Sequence, residues 1–465
     1  VRQNFSINHC DSFIIPIHYT DGASVKHFLT DVLYNAMAVP MLHIAFFIAA
    51  LVNKKARLRR NGVEQTWRTL ADARKLPTLA ESGQRIWFHA ASMGEFEQVK
   101  PIIEQIKLHA PSVQIVVSFF SPSGYEHQKN YALADVVVYL PLDSKQAAKR
   151  FLDYVQPSCA VFARYDLWQN MLLALKARSI PTILVAATLN EQSLLLRFSA
   201  GRTYLHRVYD LLTSVYTSGA SETAKFERLG ITTPIVTSAD TRFDRIAAQV
   251  ALAQKEGTES LGLSESLFAE DDVVLVLGSS WKPDEDCIVE AVQRLETSLQ
   301  KRLRLIVVPH EPSEAGIARL CKIFPNSECL SALQGNNTLL APSRHIIVDS
   351  VGKLLRLYAL ADAAYIGGGF GQGVHSVAEP AGYGLPLAAG ANIGRARDAI
   401  VLEKRGALTL IRSVDDAYQW LSTILQSPKS REIQGSIARQ YIQEGLGWSE
   451  QIAHAVISAT KESNM

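Results

Sequence analysis

Short, continuous apolar runs separated by amphipathic stretches dominate the chain from residue 86 onward. Ile86–Ala90, Val113–Phe120, Val136–Leu140, Cys159–Ala163 and Thr182–Ala187 have strand length and β-branched content. Helical spacing falls over Gly94 to about His109, from Ser123, over Lys145–Val155 and over Leu167–Ala177. A second series follows, with strands predicted at Val273–Leu277, Leu303–Val308, His345–Val348, Ala363–Ile366, Leu385–Ala388 and Ala407–Ile411. Strands that are apolar on both faces and alternate with helices mean parallel sheets covered on each side. The polar stretch from about Gln249 to Glu270 separates the two series as a linker. The expected class is therefore α/β, with two doubly wound domains at 61–248 and 249–430. Helices over 431–465 are expected to pack back on the first domain. Ligands of such sheets bind at the carboxyl ends of the strands.

The stretch before residue 61 has a different pattern. Residues 1–31 show no period, begin with Val1 rather than Met, which fits an extended or a misassigned start, and are assigned as an N-terminal extension without a function. Val32–Val52 is apolar over 21 residues, enough for one bilayer crossing. Tyr34, Asn35, Pro40 and His43 interrupt it, so a tilted or interfacial helix competes with a spanning one. Lys54, Lys55, Arg57, Arg59 and Arg60 follow at once. That order excludes a signal peptide, whose charge precedes the apolar run, and places the later chain on the cytoplasmic side. Residues 32–60 are thus expected to be a membrane anchor with a basic flank, able to lie against anionic head groups.

Candidate chemistry concentrates in loops that follow strands. In Ala364–Pro380 five glycines, Gly367, Gly368, Gly369, Gly371 and Gly373, occur within seven residues, and Ser376-Val-Ala-Glu379 has the form of a capping box at a helix start. Glycines let backbone N–H groups approach a phosphate, so this turn is the expected anion site. The spacing is not Gly-x-Gly-x-x-Gly, and no dinucleotide site is inferred. A second loop, His89–Glu97, carries Ser92, Gly94 and Glu95. Glu95 in a first helical turn has two readings, dipole compensation or general base. Arg164-Tyr-Asp-Leu-Trp168 offers a cation, an acid that could cap the next helix, and two aromatics. Gly278-Ser-Ser-Trp-Lys-Pro283 ends in a first-turn proline after a serine cap, and Pro309-His-Glu-Pro312 is a rigid turn with His310.

Composition narrows the classes. With 48% hydrophobic and 20% charged residues the chain is globular, and a net charge of +2 argues against a nucleic-acid coat. The five cysteines are scattered without a C-x-x-C pair, which fits a reduced compartment. No His/Cys/Asp/Glu set has metal spacing along the chain, so neither a metal nor a cofactor is expected in the mechanism.

Six stretches together carry a resemblance. They are Trp87-Phe-His-Ala-Ala-Ser-Met-Gly-Glu-Phe-Glu97, Tyr165-Asp-Leu-Trp168, Thr241-Arg-Phe-Asp-Arg245, Gly278-Ser-Ser-Trp281, Pro309-His-Glu311 and Gly367–Pro380. In order and spacing the chain resembles bacterial 3-deoxy-D-manno-octulosonic acid (Kdo) transferase from about residue 30 to its end. The resemblance implies the type-B glycosyltransferase fold, two Rossmann-like domains facing across a cleft. It also implies CMP-Kdo as donor, a tetra-acylated lipid A precursor (lipid IVA) as acceptor, and an inverting, metal-independent transfer at the bacterial inner membrane. It makes Glu95 the general base. It puts the donor on Gly278, Ser279, His310, the Gly367–Gly373 glycines, His375, Ser376 and Glu379, the last at the ribose. It puts the acceptor near Ser92, Gly94 and Arg164. Three positions depart from the family pattern: Thr188, Ala239 and the run Ala391-Asn-Ile-Gly-Arg395. A type-B transferase using a UDP-sugar and a non-catalytic nucleotide-binding membrane protein are the alternatives.

Overall fold

The computed structural model describes residues 30–72, 84–257, 261, 263, 268–334 and 345–462. The N-terminal extension up to residue 29 and most of the second half of the expected linker lie outside them. Among the described residues there are two seven-stranded sheets, and every paired strand runs parallel. The first contains β1 (Arg85–Ala90), β2 (Gln114–Phe119), β3 (Val136–Tyr139), β4 (Cys159–Ala163), β5 (Thr182–Ala187), β6 (Ser214–Thr217) and β7 (Ile235–Thr237), in the order β3-β2-β1-β4-β5-β6-β7. The second contains β8 (Val273–Ser280), β9 (Leu303–Pro309), β10 (Ser327–Cys329), β11 (His345–Ile347), β12 (Ala363–Ile366), β13 (Leu387–Gly390) and β14 (Leu408–Ile411), in the order β10-β11-β9-β8-β12-β13-β14.

In both sheets the order reverses beside the first strand, between β1 and β4 and between β8 and β12. These are the switch points at which crossover helices leave in opposite directions and a crevice opens. Three strands, β6, β7 and β10, were not expected from the sequence. They lie at or next to sheet edges, are only three or four residues long, and are mostly half-buried, so they lack the apolar runs of the central strands.

Nine helices matter to the site: α1 (Thr30–Val52), α2 (Lys54–Ala71), α3 (Met93–His109), α4 (Ser199–Tyr209), α5 (Arg242–Glu256), α6 (Lys282–Gln293), α7 (Ala378–Tyr383), α8 (Arg397–Arg405) and α9 (Trp448–Glu462). The C-terminal α9 inserts Ile452, Ala453 and Val456, all fully buried, into the core that Phe96, Val99 and Ile103 of α3 share with β1, β2 and β4. The last helix therefore completes the first domain's core, not the second's. Asp244 caps it from α5, accepting the N–H groups of Gly447 (2.6 Å) and Ser449 (2.8 Å).

The motif Thr241–Arg245 is a clip between the halves. Arg242 donates to Asp240 through Nε (3.0 Å) and Nη2 (2.7 Å), and Nη2 also reaches Asp398 on α8 at 3.3 Å. Asp398 in turn accepts from the hydroxyl of Tyr441 (2.7 Å). Burial would push the Asp240 carboxyl up, but Arg242 and the Gln98 amide outweigh it and hold it below the ordinary carboxylate value. Removing the cation leaves two carboxylates facing each other. With the Arg242 side chain about a third exposed, Arg242→Met is expected to cost about 2–3 kcal/mol, at the low end for breaking a buried pair, read as a lower urea midpoint at unchanged m.

Candidate active site

Glu95 lies at the β1 switch point. β1 stops at Ala90, Ser92 has extended backbone (φ −141°), and α3 begins at Met93, so Glu95 falls in its first turn. The residue is 4% exposed, and its carboxylate accepts the N–H of Ala91 at 2.5 Å. Burial pushes the Glu95 carboxyl above its ordinary 4.5; the Ala91 N–H opposes this, Asp166 adds to the rise, and His89 and Arg164 oppose it. A carboxylate tuned upward in this way is a better proton acceptor than an exposed one. A Cβ on Gly94 would meet nothing within 4 Å, so the backbone beside Glu95 faces open space. Glu97 turns to the other side of the helix, pairing with Arg245 of α5 and with Lys100 at 2.7 Å.

The loop after β4 completes this corner. The sequence suggested that Asp166 caps the next helix. Instead that helix, Gln169–Ala177, is preceded by Trp168, and Asp166 accepts from His89 Nε2 at 2.9 Å. His89 is fully buried, its Nδ1 2.8 Å from the Ser118 hydroxyl, which also accepts from Trp87 Nε1. The pair fixes the Arg164–Asp166 turn beside Glu95. Trp168 stacks on Phe120 with ring centres 5.2 Å apart, a packing role as expected. Arg164 takes a left-handed backbone (φ 63°), and its Nε is buried without a hydrogen-bond partner.

In the second domain, the glycine turn is pressed onto the end of β8. A Cβ on Gly367 would lie 2.2 Å from the Ser279 carbonyl oxygen, and one on Gly369 would lie 2.5–2.6 Å from Gly390 backbone atoms. Gly368 needs a left-handed φ of 92°. Most of the turn's amides are used internally. Gly367 N donates to Gly278 O (2.9 Å), Gly371 N and Gly373 N to Gly368 O (3.0 and 2.9 Å), and Gly368 N to the carboxylate of Asp284 (2.9 Å). The glycines thus serve close packing first; the Gly369 N–H is the turn glycine's amide that none of these bonds uses. Asn392, within one of the departures from the family pattern, clamps the turn from β13's side, its side chain donating to Gly371 O at 2.8 Å and its N–H to Gly369 O at 2.8 Å.

The expected capping box does not form. α7 starts at Ala378, two residues later than expected, Val377 precedes it in αR conformation, and no side chain caps it. Glu379 is therefore not needed as a cap. Burial pushes its carboxyl up, and Arg242, Glu97 and Arg245 are the charges around it, which sets it at the junction of the two domains close to α3. The serine cap expected before Pro283 is likewise replaced: Trp281 occupies that position, and Asp284 accepts its N–H at 2.9 Å.

Trp281, His310 and His375 form a stack that sequence reasoning did not anticipate. Ring centres are 4.7 Å apart for Trp281 and His310 and 4.6 Å for His310 and His375, with interplanar angles of 20° and 23°. Trp281 Nε1 donates to His375 Nε2 at 3.1 Å. An accepting Nε2 requires the neutral ring with its proton on Nδ1. Burial and the neighbouring His310 both push the His375 pKa down, in agreement, against a smaller opposing effect of Asp284. Ser279 at the β8 end holds a left-handed φ of 51°, and Gly278 lies where a Cβ would strike the Tyr358 hydroxyl. Neither feature could be read from spacing, because each depends on contacts between strands distant in sequence.

A cavity of about 850 Å³ opens between the halves. Arg164, Tyr165, Thr188 and Lys225 line it from the first domain and Arg395, Arg397 and Lys404 from the second. The Arg397 Nε, like that of Arg164, is buried without a hydrogen-bond partner. Two of the departures, Thr188 and Gly394-Arg395, face each other in this cavity.

A family model described as 3-deoxy-D-manno-octulosonic-acid transferase (kdotransferase) matches residues 58–245. A 3-deoxy-D-manno-octulosonic acid transferase of Haemophilus influenzae is 24% identical over 377 residues, covering 78% of this chain and 84% of its own. One from Chlamydophila psittaci is 28% identical over 336 residues, covering 69% and 72%. Among solved structures, a UDP-GlcNAc 2-epimerase from Neisseria meningitidis superposes with TM-score 0.54 at 12% identity over 78% of this chain and 99% of its own. A putative UDP-N-acetylglucosamine 2-epimerase from Listeria monocytogenes gives 0.55 at 13%, over 81% and 96%. At those identities the structures speak for the two-domain type-B fold alone. The family model over residues 58–245 and the relatives at 24–28% identity together support a Kdo transferase, and the chain is a glycosyltransferase.

Proposed function

We propose that this protein transfers Kdo from CMP-Kdo to the tetra-acylated lipid A precursor lipid IVA, with inversion, and that Glu95 is the general base. The observation that carries the reading is the buried Glu95 carboxylate, tuned upward and under the influence of Arg164, which itself lines the cationic cavity between the two domains. Glu95 takes the proton of an acceptor hydroxyl as its oxygen attacks the anomeric carbon of the donor sugar from the face opposite the phosphate. The bond to the phosphate breaks, and CMP leaves with the electron pair. An oxyanion leaving group needs preorganised donors. His375 Nδ1–H, Ser376 and the Gly369 amide are suited to that role. Gly278, Ser279 and His310 sit at the strand ends where a pyrimidine nucleotide would lie, and Glu379 suits its ribose. Arg164, together with Arg395, Arg397 and Lys404, suits the phosphates of the acceptor, with Ser92 and Gly94 beside its reacting hydroxyl.

The N-terminal helix supports a membrane-borne acceptor. Among the described residues α1 alone is long and apolar enough to cross a bilayer, and Leu33, Met41, Phe47 and Val52 on it are exposed. At 23 residues it is about 34 Å long. Yet its first turns bind the globular domain: Asp31 accepts from Gln169 and Arg207 (2.6 Å each), Tyr34 donates to Asp143 (2.8 Å), and Asn35 accepts from Asn170 (2.9 Å). Phe46 further along packs edge-on against Phe120, 5.3 Å between centres, and Arg59 of α2 donates to Phe120 O and Leu140 O of the same domain. A helix held along its length by one domain cannot place its two ends on opposite sides of a bilayer. We therefore favour an interfacial anchor over a spanning one, with the catalytic domains on the cytoplasmic face of the inner membrane. An apolar groove of about 790 Å³ between α1 and α4 meets the cleft at Leu195, a fitting place for an acyl chain.

The test is the pH profile. Transfer requires the ionised carboxylate, so activity falls as pH drops through the Glu95 pKa. The acid limb of kcat/KM is expected to have its midpoint above 4.5, and this limb should vanish in Glu95→Gln. Stability moves oppositely. Between 4.5 and the raised value the native state binds more protons than the unfolded chain, so this group's contribution declines as pH rises. An acid limb at or below 4.5 would count against Glu95 as the base.

A further inference from the structure

At the end of α3 remote from Glu95, three metal-ligating side chains from two distant parts of the chain converge. His109 sits in the last turn of α3; Glu450 and His454 are one helical turn apart on α9. One donor atom from each lies within 4.8 Å of the others. His109 Nε2 is 3.5 Å and His454 Nε2 3.8 Å from the same Glu450 oxygen, and the two imidazole centres are 4.7 Å apart. Ligands at ordinary Zn–N and Zn–O distances in a tetrahedron stand about 3.4 Å apart, so the cluster needs only small side-chain rotations to close on one ion.

We propose that His109, Glu450 and His454 form a site for a divalent transition-metal ion, Zn2+ by its chemistry, that fastens the C-terminal helix to the first domain. Two imidazoles and one carboxylate are a zinc set, with water as fourth ligand on the open side. The backbone already holds the three groups together, because Ile452 and Val456 on α9 are fully buried beside Ile102, Ile103 and Ile106 of α3. The ion would lie at the C-terminal end of α3, where the helix dipole favours positive charge. All three side chains are exposed, so an ion has direct access. His109 lies 14 residues beyond Glu95 on α3, which puts the site about 21 Å along the helix from Glu95 and gives it a structural rather than a chemical role.

The test uses the full chain in detergent, first stripped with chelator. Zn2+ added alone is expected to bind with a stoichiometry of one and to raise the thermal midpoint; Co2+ should give the absorption of a tetrahedral N/O site. In the double variant His109→Gln/His454→Gln the isotherm, the midpoint shift and the Co2+ band should all disappear, while the metal-free midpoint and transfer rate stay at wild-type values. Binding in the double variant equal to wild type, or no stoichiometric binding by wild type, would overturn the site.

Discussion

Glu95→Gln is expected to lower the rate of Kdo transfer about a thousandfold while leaving donor binding within a factor of two, in the range typical of a lost general base. The amide keeps the size of the carboxylate and can still accept the Ala91 N–H with its carbonyl oxygen, so α3 keeps its start. What it cannot do is take a proton. If the carboxylate merely offset the helix dipole, the amide would cost only a few tenths of a kcal/mol to about 1 kcal/mol of stability and little activity. The kcat loss, with KM for the donor unchanged, therefore separates chemistry from scaffolding. Asp166 sharpens the contrast. It stands near Glu95 but accepts from His89, so Asp166→Asn is expected to loosen the turn and raise KM for the acceptor more than it lowers kcat.

The second large effect is expected at Gly369. A Cβ there would lie 2.5–2.6 Å from Gly390 backbone atoms, which have no flexible end to move aside. Gly369→Ala must push the turn away from β13, breaking the Asn392 clamp. It is expected to cost about 3 kcal/mol, the upper end of ordinary overpacking, and to abolish CMP binding in calorimetry. Gly371→Ala, whose Cβ would meet nothing within 4 Å and whose φ lies outside the left-handed region, should change either quantity little. Equal effects at the two positions would mean that the turn does not depend on its fit to β8 and β13.

The contrast between these glycines shows what sequence could and could not deliver. Both looked alike as members of a phosphate turn. Only the register of β12 beside β8 and β13 reveals that Gly367 and Gly369 are packing residues, with Asp284 and Asn392 holding the turn. The parallel sheets were legible because central strands such as β1, β4 and β8 are continuous apolar runs. The edge strands β7 and β10 were not, because three half-buried residues leave no period. Glu95 was legible as a first-turn acid after a strand, but its tuning by Ala91, Arg164 and Asp166 was not, since Arg164 and Asp166 arrive from another loop. The capping box at Ser376–Glu379 was a misreading of local pattern: the turn's tertiary contacts delay the helix to Ala378. Tyr34 and Asn35 looked like flaws in a membrane span. They are the groups by which α1 grips Asp143 and Asn170.

The most direct measurement is the mass of the lipid after incubation of the purified protein with CMP-Kdo and lipid IVA. A gain of one or more whole Kdo units, matched mole for mole by CMP and absent with Glu95→Gln, is the expected result. CMP release without any gain in lipid mass, or a gain only when a UDP-sugar replaces CMP-Kdo, would contradict the account.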